Sequence, residues 1–553
     1  SDYTSFYNSN DGYLNYQLVK YALQATGTAA NPVCIDGPPC VPYNIFKEGG
    51  VTPDQLAYLS TPGTAYGTNN EQILHADVTG DLGKYNIKSP LAHDGVGVNV
   101  GAEYRFEQLN FIPDNVETVG ALAGFSGAVK SLNAGYDVKE GFFEVRAPIA
   151  QDLPGVHDLT VDAGYRYSGY STSAGNTDTY KFEVQYAPIK DVRLRYSYDR
   201  AVRAPNLIDL YNPASYGQQS VQASDPCAPT QSGAVITPAT ASLAACQRTG
   251  VTPAQYANGL GIPQCVAGQC GQVIGGNAKL KPELGDTYSF GVTFTPSALP
   301  GLNLSVDYWH ILLLDVISTI PANVLFEGCL TGTTPAYCSD IVRNSVTGAL
   351  SGATVEGGGW INQLSVNTAS EIDSGIDVQL NYHYMLPKSW GSVMASLNGS
   401  YLQHETSTPF PGAHTYDCAG LFGTTCGNGI NPSWRHNLRV TWQTPWSVLV
   451  SMQWRYIGGT SFDNNSTDPS LSGNEEGGFD NINATIPSYS YLDLSAEWKV
   501  WGGIELRAGT NNVLDKEPPV IPALDITQTG APNTYPSYDL IGREVYFGFR
   551  AKF

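Results

Sequence analysis

The stretch from Gly542 to Phe553 constrains this chain more than any other. Val545, Phe547, Phe549, Ala551 and Phe553 alternate with Glu544, Tyr546, Gly548, Arg550 and Lys552. Side chains along a strand point to opposite faces with period two, so this segment reads as a strand with one apolar and one polar face. A soluble domain seldom leaves so apolar a strand uncovered at its end. A transmembrane β-barrel does so routinely, because its last strand pairs with its first and its apolar face meets lipid.

The same alternation recurs along the chain. Phe182, Val184 and Tyr186 oppose Glu183 and Gln185. Val192, Leu194, Tyr196 and Tyr198 oppose Arg193, Arg195 and Ser197. Val448, Val450, Met452, Trp454 and Tyr456 oppose Ser451, Gln453 and Arg455. Fifteen such segments are predicted, near 71–82, 96–110, 137–149, 157–170, 178–188, 191–203, 284–296, 302–316, 369–385, 392–405, 434–444, 446–459, 488–499, 503–513 and 541–553. No run of 18 apolar residues is present, so no transmembrane helix is expected. The mean hydropathy is slightly negative, as a barrel allows, since its polar lumenal residues average against its lipid-facing ones. The predicted fold is all-β, an antiparallel transmembrane barrel wall over 71–553.

Short and long connections alternate. Turns are expected near 150–156, 187–191, 296–301, 386–391, 444–446 and 500–503. Long loops are expected at 111–135, 204–283, 318–366, 406–432, 460–485 and 515–536, with 1–70 read as a further extracellular loop segment. Barrels of the bacterial outer membrane have this pattern, with short periplasmic turns and long outer loops. All ten cysteines fall in the long set. Nearest-neighbour pairing joins Cys34 to Cys40, Cys227 to Cys246, Cys265 to Cys270, Cys329 to Cys338 and Cys418 to Cys426. Cys227, Cys246, Cys265 and Cys270 share one loop, so other pairings among those four stay open. Each small closed loop would add about 2–3 kcal/mol. An even count in loops points to an oxidising compartment. No CxxC and no histidine at ligand spacing supports zinc.

The formal net charge of −21 disfavours nucleic acid as a partner. No GxSxG elbow and no HExxH is present. Gly95-Val-Gly-Val-Asn-Val-Gly101 lacks the spacing of a dinucleotide loop and reads as a strand start. The eight histidines are scattered. No catalytic, cofactor or metal residue is therefore assigned, and the chain is not read as an enzyme.

Three segments carry a family resemblance. They are Tyr196-Ser-Tyr-Asp-Arg200-Ala-Val-Arg203-Ala-Pro205-Asn206-Leu-Ile-Asp209, then Asn277-Ala-Lys-Leu-Lys281-Pro282-Glu283, then Asn511-Asn512-Val-Leu-Asp515 before the terminal strand. In this order they resemble the carboxy-terminal barrel of TonB-dependent outer-membrane receptors. Each residue also has a plain physical job. Pro205 and Pro282 lack a donor N–H and end ladders. Asn511 and Asn512 suit turns. Arg200 and Arg203 are expected at the outer end of a strand, paired with loop carboxylates such as Asp209. The terminal Phe553 is similar to the assembly signal of outer-membrane barrels.

The resemblance implies active uptake of a scarce solute (a siderophore, vitamin or oligosaccharide) across the outer membrane of a Gram-negative bacterium, with outer-membrane lipid and lipopolysaccharide as surroundings. A passive porin-like channel and an adhesive surface anchor are the rivals. The family's barrel has about 22 strands and is filled by an amino-terminal plug that engages TonB through a TonB box. Counting back fifteen strands from a periplasmic Phe553 puts Ser1 outside the cell. The stretch that begins Ser-Asp-Tyr-Thr has no basic-then-apolar signal pattern, so either a signal is removed or the chain begins internally. The expectation is a receptor split or nicked in an outer loop, with a separate amino-terminal fragment supplying the plug, the TonB contact and the first strands. The solute is not legible, although long aromatic loops lean, by family analogy, toward a glycan.

Overall fold

A single antiparallel wall of sixteen long strands dominates the computed structural model. It describes residues 1–553 apart from 29, 47–48, 124–127, 221–224, 233–234, 258–260, 266–268, 352–357, 428, 472–483, 502, 522–533 and 552–553. Phe553, and with it the assembly signal, lies outside the described residues. The strands are β1 (Asp2–Asn10), β2 (Gly63–Asp81), β3 (Gly97–Pro113), β4 (Leu132–Leu153), β5 (Val156–Tyr170), β6 (Asn176–Ile189), β7 (Val192–Arg203) and β8 (Glu283–Phe294). They continue as β9 (Leu302–Ser318), β10 (Val366–Met385), β11 (Ser392–Thr408), β12 (Trp434–Gln443), β13 (Val448–Ile457), β14 (Tyr489–Trp501), β15 (Ile504–Asn511) and β16 (Glu544–Ala551). Each pairs antiparallel with the next, so one unbroken series of registers runs from β1 to β16. No register joins β16 to β1 among the described residues. No described helix is long and apolar enough to cross a membrane.

All fifteen segments predicted from alternation are wall strands, β2 to β16. The sixteenth corrects the reading of 1–70 as a loop. Asp2–Asn10 pairs with Gly63–Glu71. The signal was missed because neither face of β1 is cleanly apolar: Tyr3 and Tyr7 alternate with Ser5 and Ser9 on one side, and Phe6 sits between Thr4 and Asn8 on the other. Alternation alone thus counts one wall strand too few. Ser1 does not lie at the loop end; Asp2 stands opposite Glu71, midway along β2. The placement that motivated a break in an outer loop is therefore not observed.

The registers line up two different surfaces. On one face Val184, Tyr196, Phe290, Tyr308, Ile376, Tyr401 and Trp434 stand opposite one another across seven strands. On the other face, one residue along, the row reads Gln185, Arg195, Gly291, Asp307, Asp377, Ser400 and Arg435. The apolar face continues to the last strand, where Phe547 and Phe549 remain 82% and 80% exposed. Apolar surface this extensive with no protein cover fits a lipid-facing wall, with the polar row as the lumenal side. Aromatic clusters mark the apolar face near the loop end. Tyr198 lies between Tyr180 and Tyr288, and His436 between Trp454 and Tyr456.

Consecutive antiparallel strands put every second link at the same end. One end carries 154–155, 190–191, 295–301, 386–391, 444–447 and 502–503, together with 82–96. The other carries 11–62, 114–131, 204–282, 319–365, 409–433, 458–488 and 512–543, and one short link, 171–175.

The two faces predict opposite tolerance to charge. Phe290→Arg, in the middle of the apolar face, is expected to cost about 2–4 kcal/mol, and Asn381→Arg on the lumenal face much less. Urea unfolding of both variants in lipid vesicles measures the difference.

Candidate binding vestibule

The long connections are built like small soluble proteins set on the loop end of the wall. Residues from 204–282 and 319–365 form one body. Its four short strands, Ser215–Ser220, Gln269–Gly275, Trp360–Leu364 and Ile341–Val342, make a sheet. Its core contains Cys227, Cys246, Cys265, Cys270 and Cys329 with Ile262, Leu325, Phe326 and Leu350. The disulfides Cys227–Cys246, Cys265–Cys270 and Cys329–Cys338 fix it. The open question among four cysteines is thus resolved as sequential pairing. At its centre Arg343 and Asp225 are 2% and 0% exposed and meet at 2.7 and 3.1 Å. Arg343 also donates to Thr249 Oγ1 and to the Gly348 carbonyl, and lies 5.6 Å from the Phe326 ring centre. A buried pair with further donors hydrogen-bonded holds a loop in one arrangement.

A second body combines residues of 409–433, 458–488 and 512–543. Phe422, Phe462, Tyr535 and Tyr538 form its core together with Tyr489 and Tyr491 at the start of β14. Burial pushes the Tyr538 hydroxyl well above the usual tyrosine range. Cys418–Cys426 lies beside this core, and Cys34–Cys40 closes a turn within 11–62.

The three motif segments turn out to be the feet of these bodies. Arg203 holds Glu283 through two bonds of 2.5 and 2.6 Å and Asp209 at 3.2 Å. Glu283 also accepts the Ile317 N–H at 2.7 Å. Asn206 caps the helix Leu207–Tyr211, accepting from the N–H groups of Ile208 and Asp209, after a buried Pro205. Lys281 donates its N–H to Asn367 Oδ1 just before Pro282. Both ends of the longest loop are thereby tied to one spot on the wall. Arg200 differs from Arg203: it pairs with the strand residue Asp286, at 2.8 and 2.6 Å, not with a loop carboxylate. Strand alternation explains this, since the two arginines are an odd number of residues apart and so face opposite sides.

A second knot lies under the other body. Arg455 grips Asp493 at 2.7 and 3.0 Å and Asp539 at 2.9 and 2.6 Å, over the Tyr491 ring. Asp493 also accepts the N–H of Asn512, which is fully buried at a φ of 49° and exchanges two 2.9 Å bonds with the Lys516 backbone. Asp515 accepts the Arg543 N–H, and Asn511 donates to Glu544. Arg455, Asp493 and Asp539 were not singled out from sequence. Their only signal is an arginine and an aspartate on lumenal faces of adjacent strands, and Asp539 is remote from both.

Between the two feet, the lumenal arginines are largely committed. Arg166 pairs with Glu140, Arg193 with Asp158, and Arg195 with Asp307. The adjoining patch on β10, β11 and β12 is different. Gln379, Asn398 and Asn437 form one cross-strand row, and Asp377, Ser400 and Arg435 the next. These six side chains line a cavity of about 410 Å³ and have no protein partner among the described residues. It shares Ser400 and Arg435 with a neighbouring cavity of about 300 Å³, lined further by Trp309, Asp373 and Glu405. No described group of His, Cys, Asp and Glu has metal-binding geometry.

A two-faced strand wall with pinned loop bodies over one mouth defines an outer-membrane type of barrel. The family model "TonB dependent receptor-like, beta-barrel" matches residues 2–513, and the chain belongs to that family. The family is one of receptors, not of enzymes. Its fold is similar to the ferric enterobactin receptor of Pseudomonas aeruginosa, at 16% identity and a TM-score of 0.55, covering 99% of this chain and 59% of that one. It is also similar to the siderophore receptor PirA of Acinetobacter baumannii, at 14% identity and a TM-score of 0.51, covering 100% and 59%. The chain thus spans about three-fifths of the receptors it resembles. A comparison with curated sequences found no match.

Removing one partner of the buried pair tests the rigidity of the first body. Asp225→Ala leaves the Arg343 charge buried and unpaired, an expected loss of about 3–5 kcal/mol. Limited proteolysis should then cut within 204–282 or 319–365 while the heat-modifiable mobility of the wall is unchanged.

Proposed function

We propose that this chain forms most of the wall and the outer vestibule of a receptor for active solute uptake across the outer membrane. The observation that carries the reading is the pairing of a lipid-type outer face with a polar lumen whose mouth is crowded by two anchored, disulfide-pinned bodies. A general diffusion pore has no use for bodies so firmly tied over its entrance. A vestibule that selects a ligand needs surfaces held in one geometry. The loop end then faces the medium, and the turn end and carboxy terminus face the periplasm. An oxidising exterior suits the five disulfides.

The remaining strands, the plug and the TonB contact are supplied by parts outside these residues. Support comes from the coverage of only 59% of the first receptor it resembles. The neighbours' siderophores do not transfer at such identity, and the solute is argued below on this chain's own residues. No catalytic step is assigned.

Energy dependence separates uptake from the rivals. Deleting the receptor gene should abolish accumulation of its solute, and deleting TonB should do the same. Accumulation that persists without TonB would instead mark a passive channel, and tight surface binding with no accumulation in any strain would mark an anchor.

A further inference from the structure

We infer that the lumenal patch on β9 to β12 is a binding site for a neutral, polyhydroxylated ligand, an oligosaccharide, with Trp309 as its stacking platform. The proposal rests on the uptake reading for its purpose, but binding is testable apart from transport.

Trp309 stands opposite Gly375 in the β9–β10 register. A Cβ at position 375 would come within 2.6 Å of Trp309 Cζ2 and 3.0 Å of Cε2. The indole therefore lies against bare backbone, a placement that any other residue at 375 would obstruct. Trp309 also lines the cavity of about 300 Å³. The indole N–H is enclosed and has no partner among the described residues. A flat aromatic surface suits the C–H face of a pyranose ring, which is apolar, while the ring's hydroxyls project sideways.

The groups beside it suit those hydroxyls. Gln379, Asn398 and Asn437 each present both donors and an acceptor, Ser400 both functions, and Asp377 an acceptor, close to Arg435 as a donor. A hydroxyl also donates and accepts, so a polyol can use such a mixed array throughout. The contrast with the surrounding wall matters. Arg195 donates its Nη2 to Asp307 and Ser305, and Arg455 is gripped by two aspartates. The patch's amides and hydroxyl have no partner among the described residues. The two cavities, sharing Ser400 and Arg435, lie within the roughly 300–1,000 Å³ range of small-ligand sites.

Charge decides against a polyanion. Within the joined cavities Arg435 is a guanidinium with no partner among the described residues, and Asp377, Asp373 and Glu405 line the same walls. A trianionic ferric catecholate would meet more negative than positive charge there. A larger apolar cleft, of about 730 Å³, lies between β1, β3 and the helix Leu207–Tyr211. It adjoins the edge strand β1, and nothing shows what covers it, so it supports no ligand.

Calorimetry of the full-length receptor in detergent tests the site. The probes are maltohexaose, xylohexaose and laminarihexaose, with a ferric tricatecholate as the anionic control. At least one hexasaccharide should bind saturably and the tricatecholate should not. Trp309→Ala should weaken binding at least about tenfold, or about 1.4 kcal/mol, and Trp309→Phe should restore it to within about threefold of wild type. The double variant Asn398→Ala/Asn437→Ala, both exposed lumenal residues, should weaken it at least about fivefold and serves if Trp309→Ala does not fold. Binding of the tricatecholate alone, no binding of any probe, or hexasaccharide binding unmoved by these variants overturns the proposal. A hexasaccharide that binds through Trp309 but is never accumulated by TonB-competent cells would remove the uptake reading and leave the site standing.

Discussion

Strand-to-strand hydrogen bonding in the absence of water governs this molecule. A backbone that faces hydrocarbon must find its partners within the protein, and a sheet does so only by adding neighbours. That requirement makes the wall long, regular and antiparallel. Once the ladder is set, the pleat dictates the rest: every residue faces either lipid or lumen. Arg195 and Tyr196 are neighbours in sequence and on opposite sides of a membrane-spanning sheet. The chain has no freedom to place chemistry except on alternate residues or beyond the strand ends.

Loops beyond the ends answer to a different physics. Water is available there, and the bodies are held by apolar cores, disulfides and buried charge, as in soluble domains. The difficulty is attachment. A long loop hinged on two strand ends would drift, and the entropy of that freedom opposes a defined vestibule. The two arginine knots address it directly. Arg203 with Glu283 and Asp209, and Arg455 with Asp493 and Asp539, each join wall residues to the loop they carry. Bidentate guanidinium–carboxylate geometry fixes orientation as well as distance. The bodies thus inherit the rigidity of the sheet.

Legibility in the sequence follows the same division. The wall strands β2 to β16 could be read because period two is a local signal, strong wherever one face meets lipid. β1 could not, since its aromatics are split between faces. The motif residues were visible as a set, and their roles as strand and helix ends follow from residue type. Their mutual contacts were not visible: Arg203 and Glu283 touch across the whole of 204–282, and no local pattern carries that information. The lumenal patch was hidden for a related reason. Asn398, Asn437 and Gln379 each look like ordinary polar positions of an alternating strand, and only the register shows that they form one row. The side of Arg200, by contrast, was available in advance, because its odd spacing from Arg203 already implied opposite faces.

The commitment of the arginines gives the lumen its character. A chain with a net charge of −21 has few cations to spend, and most lumenal ones are used to hold structure. A ligand at the patch would meet amides, a hydroxyl, carboxylates, an indole and Arg435, a guanidinium with no partner among the described residues. Such a surface discriminates less by attraction of charge than by hydrogen-bond count and shape, and it rejects anions by leaving carboxylates unpaired against them. Rigidity and selectivity are then one arrangement seen twice: the same ion pairs that tie the bodies to the wall remove the positive charge that an anionic ligand would need.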